Sequence, residues 1–130
     1  MKLMLATAGA IVAAHAPTAA AHGGCHSATC LERVARKQCS QTRVVACIRR
    51  ASLTHNVSYP MLLRKARCES TLNPYARNGV HAGLFQFRVA APSTWVTTPY
   101  ADRDPYSAKW SSLAAAWMHR VGRGNEWACA

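Results

Sequence analysis

The sequence predicts a mainly α fold: a helical domain preceded by a short, disulfide-stapled helical hairpin. Three observations predict it. Apolar residues recur at helical spacing in several stretches, helix start and stop signals bracket those stretches, and no run alternates apolar and polar residues over a useful length. At 130 residues the chain holds one domain's worth of core with a small addition.

Residues 1–21 read as a secretory signal. Lys2 precedes an apolar run from Leu3 to Ala14, and small residues follow to Thr18-Ala19-Ala20-Ala21, with cleavage expected near Ala21. The run is too short to span a bilayer, and no later segment approaches the roughly 20 apolar residues a span needs. Cys25 follows His22-Gly23-Gly24 rather than an apolar lipobox. The expected product is secreted to the extracellular space or cell wall, with no transmembrane segment, as a monomer.

Residues 22–55 form the basic, Cys-rich appendage. Leu31 to Lys37 is a short helix, and Ser40 is placed to cap a second from about Gln41 to Leu53, where Val44, Ile48 and Ala51 make the apolar stripe. Neither helix buries enough alone, so bridges substitute for core. Export makes the six cysteines, Cys25, Cys30, Cys39, Cys47, Cys68 and Cys129, read as three disulfides. A zinc site over Cys25, His26, Cys30, Cys39 and Cys47 has the wrong spacing for paired ligands, so neither metal nor cofactor is expected.

Charge is uneven. Cys25 to Arg67 carries nine Lys/Arg against Glu32 alone, whereas Cys68 to Ala130 carries six against four acids. With a net charge of +11, such a field attracts polyanions, and for an exported protein these are the anionic polymers of a cell wall. Specific nucleic-acid binding is not expected, because Leu31 to Ser58 contains no aromatic residue for bases to stack on.

Residues 56–130 form the main domain. Thr54 to Ser58 is a polar linker, Ser58 caps a helix from about Tyr59 to Cys68, and Asn73-Pro74 stops it. A loop covers Tyr75 to Ala82, and Pro92-Ser93-Thr94-Trp95 opens a further helical turn. Asp104-Pro105 starts the longest late helix, about Pro105 to Val121, with Trp110, Leu113, Trp117 and Val121 on one side. Gly122 and Gly124 end it.

The chemistry centres on Glu69. Leu62, Ala66 and Glu69 fall at i, i+4 and i+7, which puts this carboxyl on an apolar helix face and near the helix C-terminus. An acid among apolar side chains, at the negative end of a helix, is favoured in its protonated form, which can donate a proton. The chain has only five acids. Asp104 is expected to cap a helix and Glu32 lies in the appendage, so a two-carboxylate glycosidase would have to pair Glu69 with Asp102 or Glu126, and neither position has a recommending feature. Ser70 and Ser93 lack a nucleophile elbow, and no Gly-rich phosphate loop is present.

Glu69-Ser70-x-x-Asn73-Pro74-x-Ala76, Gly83-Leu84-Phe85-Gln86-Phe87 and Pro92-Ser93-Thr94-Trp95, in that order, resemble the lytic transglycosylases of lysozyme-like fold, in the form of the small exported enzymes of actinobacteria and their phages. Cys68-Glu69-Ser70 and Gly124-x-x-Trp127-x-Cys129 are similar to the resuscitation-promoting factor domain. The resemblance covers roughly residues 56 to 130. It implies that Glu69 is the single acid/base cleaving the MurNAc–GlcNAc bond of peptidoglycan glycan strands and leaving 1,6-anhydro-MurNAc ends. It also implies that Gln86 bonds the sugar near the cleavage point, that Ser70 orients Glu69 or substrate, and that Cys68 pairs with Cys129. The remaining four cysteines keep three possible pairings.

Three departures stand out. The loop from Asn78 to Gly83 is shorter than the family pattern, Arg88 to Ala91 is a small insertion, and an Ala-Tyr-Asn-Ala-Gly run is missing. Tyr100 and Tyr106 are the candidates to supply that run's tyrosine. The alternatives are a muramidase of the same fold, with Asp102 or another acid placing water, and a non-catalytic cationic wall-binding protein.

Overall fold

A computed structural model describes residues 25–129. The expected export signal over residues 1–21 lies outside the described residues. The architecture is mainly helical: α1 (Ala28–Gln38), α2 (Val44–His55), α3 (Tyr59–Ser70) and α4 (Ala108–Arg120), with a small sheet β1 (Arg77–Asn78), β2 (His81–Ala82), β3 (Phe87–Arg88) and two 3-10 turns, Trp95–Thr97 and Gly124–Glu126. No helix among the described residues is long and apolar enough to cross a membrane.

α4 is the central element. Ala108 and every residue from Ser111 to Ala116 are buried, as expected of a helix covered on most sides, and its Ala114-Ala115-Ala116 run lets α2 pack closely. α2 contributes Ile48 and Ala51 to the same core as Leu62 and Ala66 of α3 and Leu113 and Met118 of α4. The stapled hairpin is therefore not a separate body. Only α1 lies at the periphery, with Ala35 its single buried residue.

Several boundaries differ from expectation, each for a local reason. α1 begins three residues early because Ser27 accepts a hydrogen bond from the Cys30 amide. Ser40 does not cap α2: its hydroxyl pairs with that of Thr42, and a tight turn, with the Arg43 amide on the Ser40 carbonyl at 3.0 Å, delays the helix to Val44. α2 runs on to His55 and ends at Asn56 in the left-handed conformation, so the linker shortens to three residues, 56–58. Ser58 caps α3 as expected, accepting from the Met61 amide.

α3 ends before Asn73-Pro74. Thr71 (φ 54°) and Leu72 (φ 62°) are both left-handed, an unusual geometry for side chains of this size and a cost of about 1 kcal/mol or more each. The chain thus turns sharply directly after Glu69 and Ser70. Asp104 accepts from the Tyr106 amide, whereas Ser107 caps α4, accepting from Trp110, so that helix starts three residues later than expected.

The expected loop from Tyr75 to Ala82 contains a hairpin. Arg77 pairs with Ala82 and Asn78 with His81, and β2 pairs onward with β3, all antiparallel. Gly79, with φ +57°, sits first in the two-residue link, the position that favours glycine in such turns. Strands of two residues are too short to alternate, so periodicity could not show them.

Three disulfides join Cys25 to Cys30, Cys39 to Cys47 and Cys68 to Cys129. The second closes the turn ahead of α2, and the third ties the residue beside Glu69 to the chain end.

Candidate active site

Glu69 occupies the last turn of α3. Leu62 and Ala66, on the same face, are fully buried, and the carboxyl of half-buried Glu69 opens into a groove of about 330 Å³. With Glu69 it is lined by Asn78 and His81 of the hairpin, by Gln86, and by Glu126, Trp127 and Ala128. An adjoining recess of about 160 Å³ shares His81, Gln86, Glu126 and Trp127 and continues past Arg88 and Thr94. The Glu69 carboxylate has neither a hydrogen-bond nor an ion-pair partner among the described residues.

The face behind the acid is not purely apolar. Lys65, one turn back at i−4, is buried, and its ammonium donates to the Gly124 carbonyl at 3.0 Å while standing 5.0 Å from the centre of the Trp127 ring. Burial pushes Lys65 below the usual lysine range, and the charge of nearby Glu69 offsets part of that. The Lys65–Glu69 spacing was legible in the sequence as a helical neighbour pair. The burial of the lysine was not.

Trp127 is the second wall. Its indole N–H donates to the Phe85 carbonyl at 2.7 Å, its ring meets Phe87 edge-on at 5.4 Å, and His119 stacks on it at 5.5 Å with planes 5° apart. Burial, and then the charge of Lys65, push His119 below the usual imidazole range. Gly124 makes this packing possible, since any Cβ there would overlap the His119 ring.

Gln86 lines the groove, but its amide nitrogen is committed to backbone. Nε2 donates to the carbonyls of Ala76 at 3.1 Å and Gly83 at 2.9 Å, and the residue adopts φ 50°. Gln86 therefore fastens the loop, leaving Oε1 as the atom that can receive a hydrogen bond from a ligand.

Three expected site residues do not line the groove. Ser70 turns away, its hydroxyl directed to the carbonyls of Leu84 at 2.7 Å and Ala66 at 3.1 Å, so it stitches α3 to the loop. Tyr100 is held by His55 at 3.0 Å and packs on Trp110 at 5.8 Å. Tyr106 lies at the approach to α4, where its carbonyl accepts from Gln41. Of the two possible second acids, Asp102 is an exposed neighbour of Arg103, whereas Glu126 is in the groove. Both Glu126 oxygens are taken by Arg123, one of them at 2.9 Å. The one sequence signal that Glu126 and Trp127 come near Glu69 is the Cys68–Cys129 pairing that the resemblance implies. Phe85 is fully buried and serves as core.

A second feature lies away from these groove-lining residues. Lys109 and Arg103 stand over the Trp110 ring at 3.9 and 4.8 Å, and Arg36 and Arg50 are near enough that their charges, after burial, help push Lys109 below its usual range. Arg36 is paired to Glu32 at 2.8 Å. The cationic surface therefore draws on α4 and the loop before it as well as on α1 and α2. No cluster of three or more metal-ligating side chains occurs among the described residues.

No protein-family model, no curated protein and no solved structure matches this chain.

Proposed function

We propose that this chain is an exported peptidoglycan lytic transglycosylase of lysozyme-like fold, with Glu69 as its single acid/base. The observation that carries the proposal is the state of Glu69: a carboxyl group in a concave groove with no partner among the described residues, while the other acid of that groove is held by Arg123. The motif resemblance around Glu69 and Gln86 supplies the substrate class. Three disulfides support an oxidising, extracytoplasmic location.

The chemistry runs through Glu69 alone. Its carboxylic acid protonates the glycosidic oxygen as the C1–O bond of MurNAc breaks, releasing GlcNAc as the alcohol. The carboxylate then takes the proton of the C6 hydroxyl as that oxygen bonds to C1, closing the 1,6-anhydro ring and regenerating the acid. No water is consumed, and the nucleophile is already tethered to the reacting sugar. Gln86 Oε1 is available to accept from a sugar hydroxyl beside that point. The Lys109–Trp110 surface and its neighbours hold the enzyme to anionic wall polymers.

One observation favours a second reading, hydrolysis by a muramidase: Glu126 shares the groove and can direct a water. Digestion of purified wall with product weighing separates the two. Transglycosylation gives muramic ends lighter by one water than hydrolysis. Glu69→Gln is expected to lower turnover by about 10²–10⁴-fold while wall binding persists, and Glu126→Gln to leave the anhydro product in place. Full biological activity in Glu69→Gln, with no glycan released by either form, would overturn the proposal in favour of a non-catalytic wall binder.

A further inference from the structure

The insertion from Arg88 to Ala91 has no task in the transglycosylase chemistry, yet its first residue is built into the groove. Arg88 ends β3 directly opposite His81 of β2, and both residues line the recess of about 160 Å³ that shares His81, Gln86, Glu126 and Trp127 with the Glu69 groove. The backbone there is fixed: the Arg88 amide donates to Thr94 Oγ1 at 3.2 Å, and its carbonyl accepts from Ser93 Oγ at 3.0 Å and the Thr94 amide at 3.1 Å. The guanidinium is fixed too. Nη2 donates to the Ala91 carbonyl at 3.2 Å, and Nε is buried with no partner.

No acid among the described residues pairs with Arg88. The acid that shares its recess, Glu126, gives both oxygens to Arg123. A cation lining a concave recess with no ion-pair partner among the described residues favours an incoming anion, and the planar guanidinium, through the N–H groups it does not spend on Ala91, suits a carboxylate. The recess is too small for a ring system of drug-like size and suits a substituent projecting from a chain in the main groove.

We infer that Arg88, with His81 beside it, forms a subsite for a carboxylate carried by the glycan strand next to the bond that Glu69 cleaves. Two groups on peptidoglycan offer this chemistry: the free lactyl carboxyl of a muramic residue from which the peptide has been removed, and the carboxyl groups of the peptide where it remains attached. The inference rests on the peptidoglycan reading and narrows it, since the enzyme then distinguishes acidic glycan from neutral glycan.

The test measures binding to Glu69→Gln, which does not consume its ligand, and to Glu69→Gln with Arg88→Gln. Three probes are titrated calorimetrically: peptide-bearing glycan tetrasaccharide, the same tetrasaccharide stripped of peptide by an amidase, and chitotetraose, which has no carboxylate. Arg88→Gln is expected to weaken at least one of the acidic probes about tenfold or more and to leave chitotetraose unchanged. The acidic probe that responds identifies the source of the carboxylate. Arg88→Lys, which keeps the charge, is expected to recover part of the loss. Equal weakening on all three probes, or none on any, overturns the subsite. If Glu69→Gln binds none of the probes and the wild type releases nothing from wall, the peptidoglycan reading itself falls and the subsite with it.

Discussion

Trp127 donates its indole N–H to the carbonyl of Phe85 at 2.7 Å, and that bond sets the far wall of the groove against the loop carrying Gln86. Cys129, two residues on, is covalently joined to Cys68, the neighbour of Glu69. The acid and the wall facing it are thus positioned by one short segment at the chain end.

Breaking that tie should cost both stability and activity. The bridge spans a separation of 61 residues, so Cys68→Ser with Cys129→Ser is expected to lose about 2–4 kcal/mol and to lower the thermal midpoint by roughly 10 °C. Glycan cleavage should fall further than the unfolded fraction explains. The Cys25–Cys30 bridge, of separation 5 and at the periphery, should give a smaller shift and unchanged cleavage. Thermal melts and turnover on soluble glycan check both.

Gly83 adopts φ +80°, and a Cβ there would overlap the carbonyl oxygen of Pro105. Its own carbonyl holds Gln86. Gly83→Ala is therefore expected to destabilise by about 1–3 kcal/mol and to reduce cleavage through displacement of Gln86, as denaturant titration and turnover would show.

Ser70→Ala tests the stitching role. Loss of its hydroxyl leaves the Leu84 carbonyl without that donor, so stability should fall by about 0.5–1.5 kcal/mol, with KM for soluble glycan unchanged. A raised KM at unchanged stability would instead return Ser70 to the substrate.

Acid should destabilise the fold through two histidines. Burial, and then Arg120, push His55 down; burial, and then Lys65, push His119 down. With folded values below the unfolded one, the unfolded chain binds more protons. The associated stability is full above about pH 6.5 and is lost as pH falls from there toward the folded values. Thermal midpoints measured from pH 7.5 to 5 should decline, and His119→Gln should make the decline shallower.

Wall retention should depend on Lys109 and Arg103, which share the Trp110 ring. Replacing both with Gln is expected to weaken wall binding several-fold at low salt and to flatten its salt dependence, leaving turnover on soluble fragments unchanged. Co-sedimentation with wall across a salt series measures this.

The sequence by itself determined the helices, since apolar spacing and capping residues act within one or two turns. Ser58 and Pro60 start α3 where their local chemistry says, and Glu69 falls on the face shared with Leu62 and Ala66. The scarcity of acids singled it out. Only the tertiary structure decided what Glu69 faces. Lys65 is buried because Gly124 and Trp127 fold over it, Glu126 enters the groove because Cys129 brings the chain end to Cys68, and the hydroxyl of Ser70 finds the Leu84 carbonyl of a loop placed by packing. Tyr100 was withdrawn from the groove by the same kind of partner, His55. Periodicity is local, whereas groove walls and the competition among hydrogen-bond partners are set by contacts between segments far apart in the chain. No repeat of three or four residues encodes those contacts.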